Sequence, residues 1–206
     1  MFRQPRKEQA GASARRWIVL DLETTGLDPD ADSILEVGAV AVHDGIIELA
    51  DRFHRLVSSS TLAKAENRVV HGITVAEQDR GVELATVLDE LLAWRAAAPL
   101  VGFYTSFDTA FIAAALRRLG RASAARAFAE ETIDLALIAP TLFPGVRARG
   151  LSQWRRILAL PVRRAHRALV DALCTAHLLQ RCLAQLPPEK RTFAELKAIE
   201  RARRWL

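Results

Sequence analysis

Apolar and polar positions along this chain change period several times, and each change marks an element. Trp17-Ile18-Val19-Leu20 is an unbroken apolar run, which predicts a buried central strand over 17–22. Ile34 to His43 and Ile46 to Val57 read as two more strands, joined at Asp44-Gly45, a dipeptide that favours a hairpin turn. Thr74-Val75-Ala76-Glu77 has the spacing of a capping box and predicts a short helix. Leu84, Val87, Leu88, Leu91 and Leu92 recur at helical intervals. Pro99 to Phe103 read as a fourth strand, and Phe107 to Leu119 as a helix stopped by Gly120. A short fifth strand is expected around Thr132-Ile133, followed by helices over about 135–142, 150–159 and 168–185. An early hairpin followed by alternating strands and helices implies an α/β fold: a mixed sheet with helices on its faces.

The last twenty residues read as an appendage. Pro187-Pro188 break the preceding helix, and Thr192 with Glu195 repeats the capping-box spacing. Phe193, Leu196, Ile199 and Ala202 then fall on one helical face, with Trp205 and Leu206 at the end and Lys197, Arg201, Arg203 and Arg204 elsewhere. Two readings follow for 187–206: a terminal helix packed on its own domain, or a basic amphipathic helix that docks a protein partner or a second copy. Residues 1–15 are read as a flexible basic arm, leaving 16–186 as the main domain.

Composition narrows the class. Half of the 206 residues are apolar, enough for one substantial core. No stretch approaches the roughly 18 uninterrupted apolar residues of a membrane helix. The basic N-terminus lacks the apolar centre of a secretory signal. Cys174 and Cys182 fall on one predicted helix about 12 Å apart, too far for a disulfide. They are expected to be buried thiols in a reducing, cytoplasmic setting. The net charge of +5 suits a polyanionic partner. All but four of the 29 basic residues are Arg, however, and Ala is abundant. That bias also fits base composition, so charge adds little to the argument.

The chemistry is more specific. The first strand ends in Asp21-Leu22-Glu23-Thr24-Thr25-Gly26. Side chains alternate along a strand, so Asp21 and Glu23 point the same way. Two adjacent carboxylates at the end of a buried strand need a proton, a cation or a metal, and hard divalent ions choose such oxygen ligands. By itself the pattern also fits acids that begin a solvated loop. Asp108 stands where the fourth strand gives way to a helix, and His166-Arg167-Ala168-Leu169-Val170-Asp171-Ala172 opens another.

Together these segments resemble the DEDDh branch of the DnaQ-like 3′–5′ exonucleases, the family of the DNA polymerase III epsilon subunit. Asp-x-Glu-Thr-x-Gly matches at 21–26, Phe-Asp at 107–108, and His-x4-Asp at 166–171. The resemblance spans roughly 16–185. It implies a ribonuclease-H-like fold with a five-stranded mixed sheet, the first strand in its centre. It also implies a site for two divalent ions, Mg²⁺ or Mn²⁺. Asp21, Glu23 and Asp171 would hold one ion, Asp21 would bridge to the second, and Asp108 would support that one. One ion would activate water and the other would stabilise the leaving 3′-oxygen. His166 would be the general base.

Substrate-binding roles are implied for Leu22, Thr24, Thr25, Gly26, Glu66, His71 and Phe107, the last also fitting a core position. The expected activity is release of nucleoside 5′-monophosphates from free 3′ ends of single-stranded or frayed nucleic acid, with DNA favoured. The alternatives are an RNA-trimming exoribonuclease and a non-catalytic nucleic-acid-binding module. One departure stands out. Many relatives carry Ala-His-Asn-Ala where this chain has Gly102-Phe103-Tyr104-Thr105. Tyr104 is thus a candidate to stack on a base. Asp134, at the expected end of the fifth strand, reads as a helix cap or loop hydrogen-bond acceptor.

Overall fold

The computed structural model describes residues 16–59, 72–161 and 166–204. The arm 1–15, Glu66, His71, Trp205 and Leu206 lie outside the described residues. The strands are β1 Arg16–Thr24, β2 Ile34–His43, β3 Ile46–Leu56, β4 Leu100–Gly102 and β5 Thr132–Asp134. The helices are α1 Val75–Asp79, α2 Leu84–Arg95, α3 Ser106–Arg118, α4 Ala122–Glu130, α5 Leu135–Leu142, α6 Leu151–Ile157, α7 Ala168–Ala184 and α8 Phe193–Arg204. One sheet runs β3-β2-β1-β4-β5, with β1 central. The β1–β2–β3 pairs are antiparallel, while β4 and β5 join in parallel.

Alternation along β1 divides the core. Trp17 and Val19 face one side and pack with Trp154 of α6, Leu178, Leu179 and Leu183 of α7, and Leu196 of α8. Ile18, Leu20 and Leu22 face the other and pack with Leu88 and Leu91 of α2, Phe111, Ile112 and Leu116 of α3, and Phe128 of α4. Each fully buried Leu or Ile contributes about 1.5–3 kcal/mol relative to exposure. Asp21 and Glu23 continue the odd-numbered face, so β1 delivers both toward α7.

Most expected elements are present. Thr74 caps α1 in a reciprocal box with Glu77. Asp44 and Gly45 turn the hairpin, both at positive φ. The fourth strand is shorter than expected because pairing stops at Gly102, before the chain turns into α3. Helix α4 was not anticipated. Its sequence, ASAARAFAE, presents only Ala125 and Phe128 to the core, too few large residues to give a clear period. Helix α8 packs beside α5 and β5. Its Lys197 Nζ donates to the Thr132 carbonyl at 2.5 Å, and its buried Glu200 pairs with Lys197 and Arg204. No described helix is long and apolar enough to cross a membrane.

Candidate active site

Asp21 and Glu23 leave β1 on one face, and α7 brings Asp171 to them from above. Gly38 makes this approach possible. It lies opposite Asp21 in the β1–β2 register. A β-carbon there would fall 2.1 Å from the Leu169 nitrogen and 2.3 Å from the Ala168 carbonyl carbon. Only glycine lets the first turn of α7 rest on the sheet at this point. As a result, carboxylate oxygens of Asp21, Glu23 and Asp171 all lie within 4.8 Å of one another.

Asp108 arrives from the opposite side, in the first turn of α3. It is not one of the trio within 4.8 Å but acts on Asp21 as the leading neighbouring charge, and it is buried, with Oδ1 accepting the Leu22 N–H at 3.1 Å. The helix N-terminus favours a negative charge there. Asp134 accepts from the N–H groups of Ala136 and Tyr104, each at 2.9 Å, so it caps α5 and ties down the loop after β4.

These acids are electrostatically frustrated. Burial, then the charges of Asp108, Asp171, Glu23 and Glu36, push Asp21 well above the carboxylate range. Burial and Asp171 lead the causes that raise Glu23 to about 8. Burial also raises Asp108 and Asp171, with hydrogen bonds from Leu22 and His166 acting against it. Without a cation, the cluster keeps protons that ordinary carboxylates lose. Oxygen-only, carboxylate-rich and partly open to solvent, the donor set fits a hard divalent ion.

His166 stands at the rim of the same site, exposed, with its N–H donating to Asp171 Oδ2 at 2.8 Å. Its φ of +70° lies in the left-handed region, a strain of order 1 kcal/mol that its surroundings must hold. A cleft of about 430 Å³ is lined by Asp21, Asp171, His166, Tyr104, Gln153 and Arg155, among others. Tyr104 is also left-handed, at φ +60°, and is 53% exposed. Its hydroxyl donates to the Arg149 carbonyl, bracing the loop that leads into α6.

The turn after Glu23 is rigid. Thr24 Oγ1 donates to the Gly26 carbonyl at 2.6 Å, and Thr25 Oγ1 donates to Asp32 at 3.2 Å while accepting the Ser33 N–H. A β-carbon on Gly26 would collide with the Asp32 carboxylate at 2.1 Å. Both threonine hydroxyls are thus engaged within the turn. Leu22 is buried, and Phe107 packs half-buried against Phe111 with ring centroids 4.8 Å apart. Sequence reasoning overlooked Gly38 and Glu36. Glu36 had a legible signal: it is a lone charge inside the apolar run Ile34-Leu35-Glu36-Val37.

The exonuclease (RNase T) family profile matches residues 18–179. A PolC-type DNA polymerase III of Thermotoga petrophila is 32% identical over 186 residues, covering 89% of this chain but 13% of that protein. Its counterpart in Oceanobacillus iheyensis is 29% identical, over 82% of this chain and 12% of that protein. The chain thus spans about an eighth of the length of these relatives. Among solved structures, the nuclease domain of 3′hExo, a DEDDh family member bound to rAMP, superposes with a TM-score of 0.72 at 21% identity, covering 85% of this chain and 94% of that one. E. coli Exonuclease I in complex with a dT13 oligonucleotide gives 0.71 at 15% identity, over 81% and 40% of the two chains.

Proposed function

Because this chain belongs to the DnaQ-like exonuclease family, with the DEDDh pattern intact, we propose that it trims single-stranded or frayed DNA from the 3′ end, releasing nucleoside 5′-monophosphates with divalent metal ions. The observation that carries this reading is the convergence of Asp21, Glu23 and Asp171 within 4.8 Å, in a cleft that His166 borders. Asp21, Glu23 and Asp171 would hold one ion, with Asp21 and Asp108 serving a second. Such ions, when bound, polarise the phosphodiester, lower the pKa of water and stabilise the leaving oxygen.

The protein's own groups do the rest. His166, as the general base, takes a proton from the attacking water. Its backbone bond to Asp171 ties the base to the acid cluster. The rigid turn at Thr24–Gly26 offers a fixed edge against which a terminal nucleotide can be oriented. Arg155 lends the cleft positive charge for a phosphate.

The rAMP-bound neighbour favours one second reading, a ribonuclease that trims RNA ends. One assay addresses both. Matched DNA and RNA oligonucleotides, labelled at either end, are incubated with Mg²⁺, Mn²⁺ or excess chelator. The expected result is a 5′-labelled ladder shortening from the 3′ end, faster on DNA, with immediate mononucleotide release from 3′-labelled strands and no reaction in chelator. Faster loss of RNA selects the second reading. Cleavage that survives chelation, or no cleavage with metal, overturns the proposal.

A further inference from the structure

Glu36 is a fifth acid beside the cluster, and it differs from the other four in being fully partnered. It lies opposite Glu23 in the β1–β2 register, with its side chain 1% exposed. His54 Nε2 of β3 meets Oε1 at 2.5 Å. Arg167 Nε donates to both oxygens, at 3.0 and 3.2 Å. The Ala168 N–H donates at 3.1 Å. Ala168 is the first residue of α7, and the preceding Arg167 offers that helix no side-chain cap. Glu36 therefore caps α7 from a neighbouring strand, satisfying an N–H that has no partner within the helix. Arg167 also reaches Glu77 at 3.7 Å, and Glu77 is fixed in the capping box of α1. Burial pushes the Glu36 carboxyl up, but the hydrogen bonds from His54, Arg167 and Ala168 outweigh it and keep the group charged.

The residues so anchored adjoin the chemistry. His166 is next to Arg167 and held in the left-handed region, and Asp171 follows one turn into α7. We infer that Glu36 and Arg167 form a clamp that positions His166 and Asp171, acting through the start of α7 and touching no substrate. The inference rests on the nuclease reading of the site.

Position and charge predict opposite outcomes, which gives the test its force. Arg167 is half-buried and outside the core, so Arg167→Gln keeps the fold, as a circular dichroism melt would verify. If the clamp positions the site, kcat on a single-stranded oligonucleotide falls by about 10- to 100-fold with little change in KM, and Mn²⁺ binds about tenfold more weakly in calorimetric titration. If Arg167 acts only through charge, losing a cation near Glu23 tightens Mn²⁺ binding. Arg167→Lys keeps the charge but not the planar fork, so positioning predicts that it behaves like Arg167→Gln and charge alone predicts wild-type behaviour. Glu36→Gln, which retains one acceptor oxygen, should show a smaller loss of the same kind. Wild-type kcat and Mn²⁺ affinity in all three variants, or tighter Mn²⁺ binding with unchanged kcat in Arg167→Gln, overturns the clamp. A wild-type protein that neither binds Mn²⁺ nor cleaves would instead overturn the nuclease reading beneath it.

Discussion

Strand β1 starts beside one carboxylate and ends in two, and the two ends are electrically opposite. At the start, Asp51 is surrounded by donors. Arg16 Nε and Nη2 reach it at 2.9 and 3.1 Å, His43 at 2.8 Å and Trp94 Nε1 at 2.8 Å. The bond from Arg16 leads the causes that hold its carboxyl down at about 2, against a modest opposing effect of burial. At the far end, Asp21 and Glu23 face other carboxylates, and both are pushed up. The first arrangement is complete in itself and joins four elements, β1, β2, β3 and α2. The second is given no such opposite charge by the chain and retains protons instead. Counting acids would not separate them; what separates them is whether the chain supplies the opposite charge. A functional site shows itself here by the partner the fold withholds.

The sharpest way to break the comparison is to remove a carboxylate from the frustrated end. Asp21→Asn should lower the exonuclease rate by several powers of ten, since Asp21 is the proposed bridging ligand. The melting temperature of the metal-free protein should hold or rise, because a buried group that ionises freely only in the unfolded chain is gone. Near-normal turnover in purified Asp21→Asn protein would end the two-metal reading. His166→Ala should cost roughly two to four powers of ten, the usual contribution of a positioned acid–base group. Its Mn²⁺ affinity should stay close to wild type, because His166 is not a proposed ligand and its hydrogen bond to Asp171 comes from the backbone. Full turnover at several pH values, with saturating metal, would assign the base to another group.

Much of this was legible in the sequence, for definable reasons. The apolar run of β1 and the Asp-Gly turn are local signals, and the structure reproduces them. Asp21, Glu23, Asp108 and Asp171 were legible as a set through the resemblance of three motifs to the exonuclease family. The resemblance also implied that Asp21, Glu23 and Asp171 converge, but the residues alone did not show what permits it. Convergence depends on Gly38, whose missing side chain matters only once α7 lies across β2. Glu36 was hidden for a similar reason: its three donors come from β3 and from residues more than a hundred positions away. Helix α4 escaped because alanine carries helix propensity with little periodicity. Thr24, Thr25 and Gly26 read as a tight turn whose backbone could approach a terminal nucleotide, and the structure adds that the two threonine hydroxyls hold that turn together.

The satisfied end predicts a different failure. Asp51→Ala removes hydrogen bonds to charged and neutral donors at a partly exposed site, so it should cost about 1–3 kcal/mol. For a chain of this size that lowers the melting temperature by about 3–10 °C. Activity per folded molecule at 25 °C should not change. The contribution of Asp51 is present above its unfolded value near 3.8 and is lost as pH falls toward about 2. A melt in which Asp51→Ala and wild type differ equally at pH 7 and near pH 2 would contradict this account.

The smallest expected effect sets the two ends against each other within a single titration. Glu23 ionises near 4.5 in the unfolded chain but near 8 in the metal-free fold. Between those values the unfolded state has lost its proton while the folded state still binds it. Folding stability from this group therefore declines as pH rises from about 4.5 to about 8, the reverse of the Asp51 dependence. A divalent ion must displace the retained protons, so its binding strengthens with pH across the same window. Mn²⁺ binds the folded state and raises the melting temperature by mass action. The rise should be a few degrees larger near pH 8 than near pH 5 at equal Mn²⁺. In Asp51→Ala the same pH dependence of the Mn²⁺ effect should persist, because that end of β1 holds no ion. In Asp21→Asn it should shrink, because one of the carboxylates that retain protons is gone. A Mn²⁺ effect independent of pH, or equal in Asp21→Asn and wild type, would mean that the metal stabilises the protein elsewhere, and that the frustrated end of β1 is not where it binds.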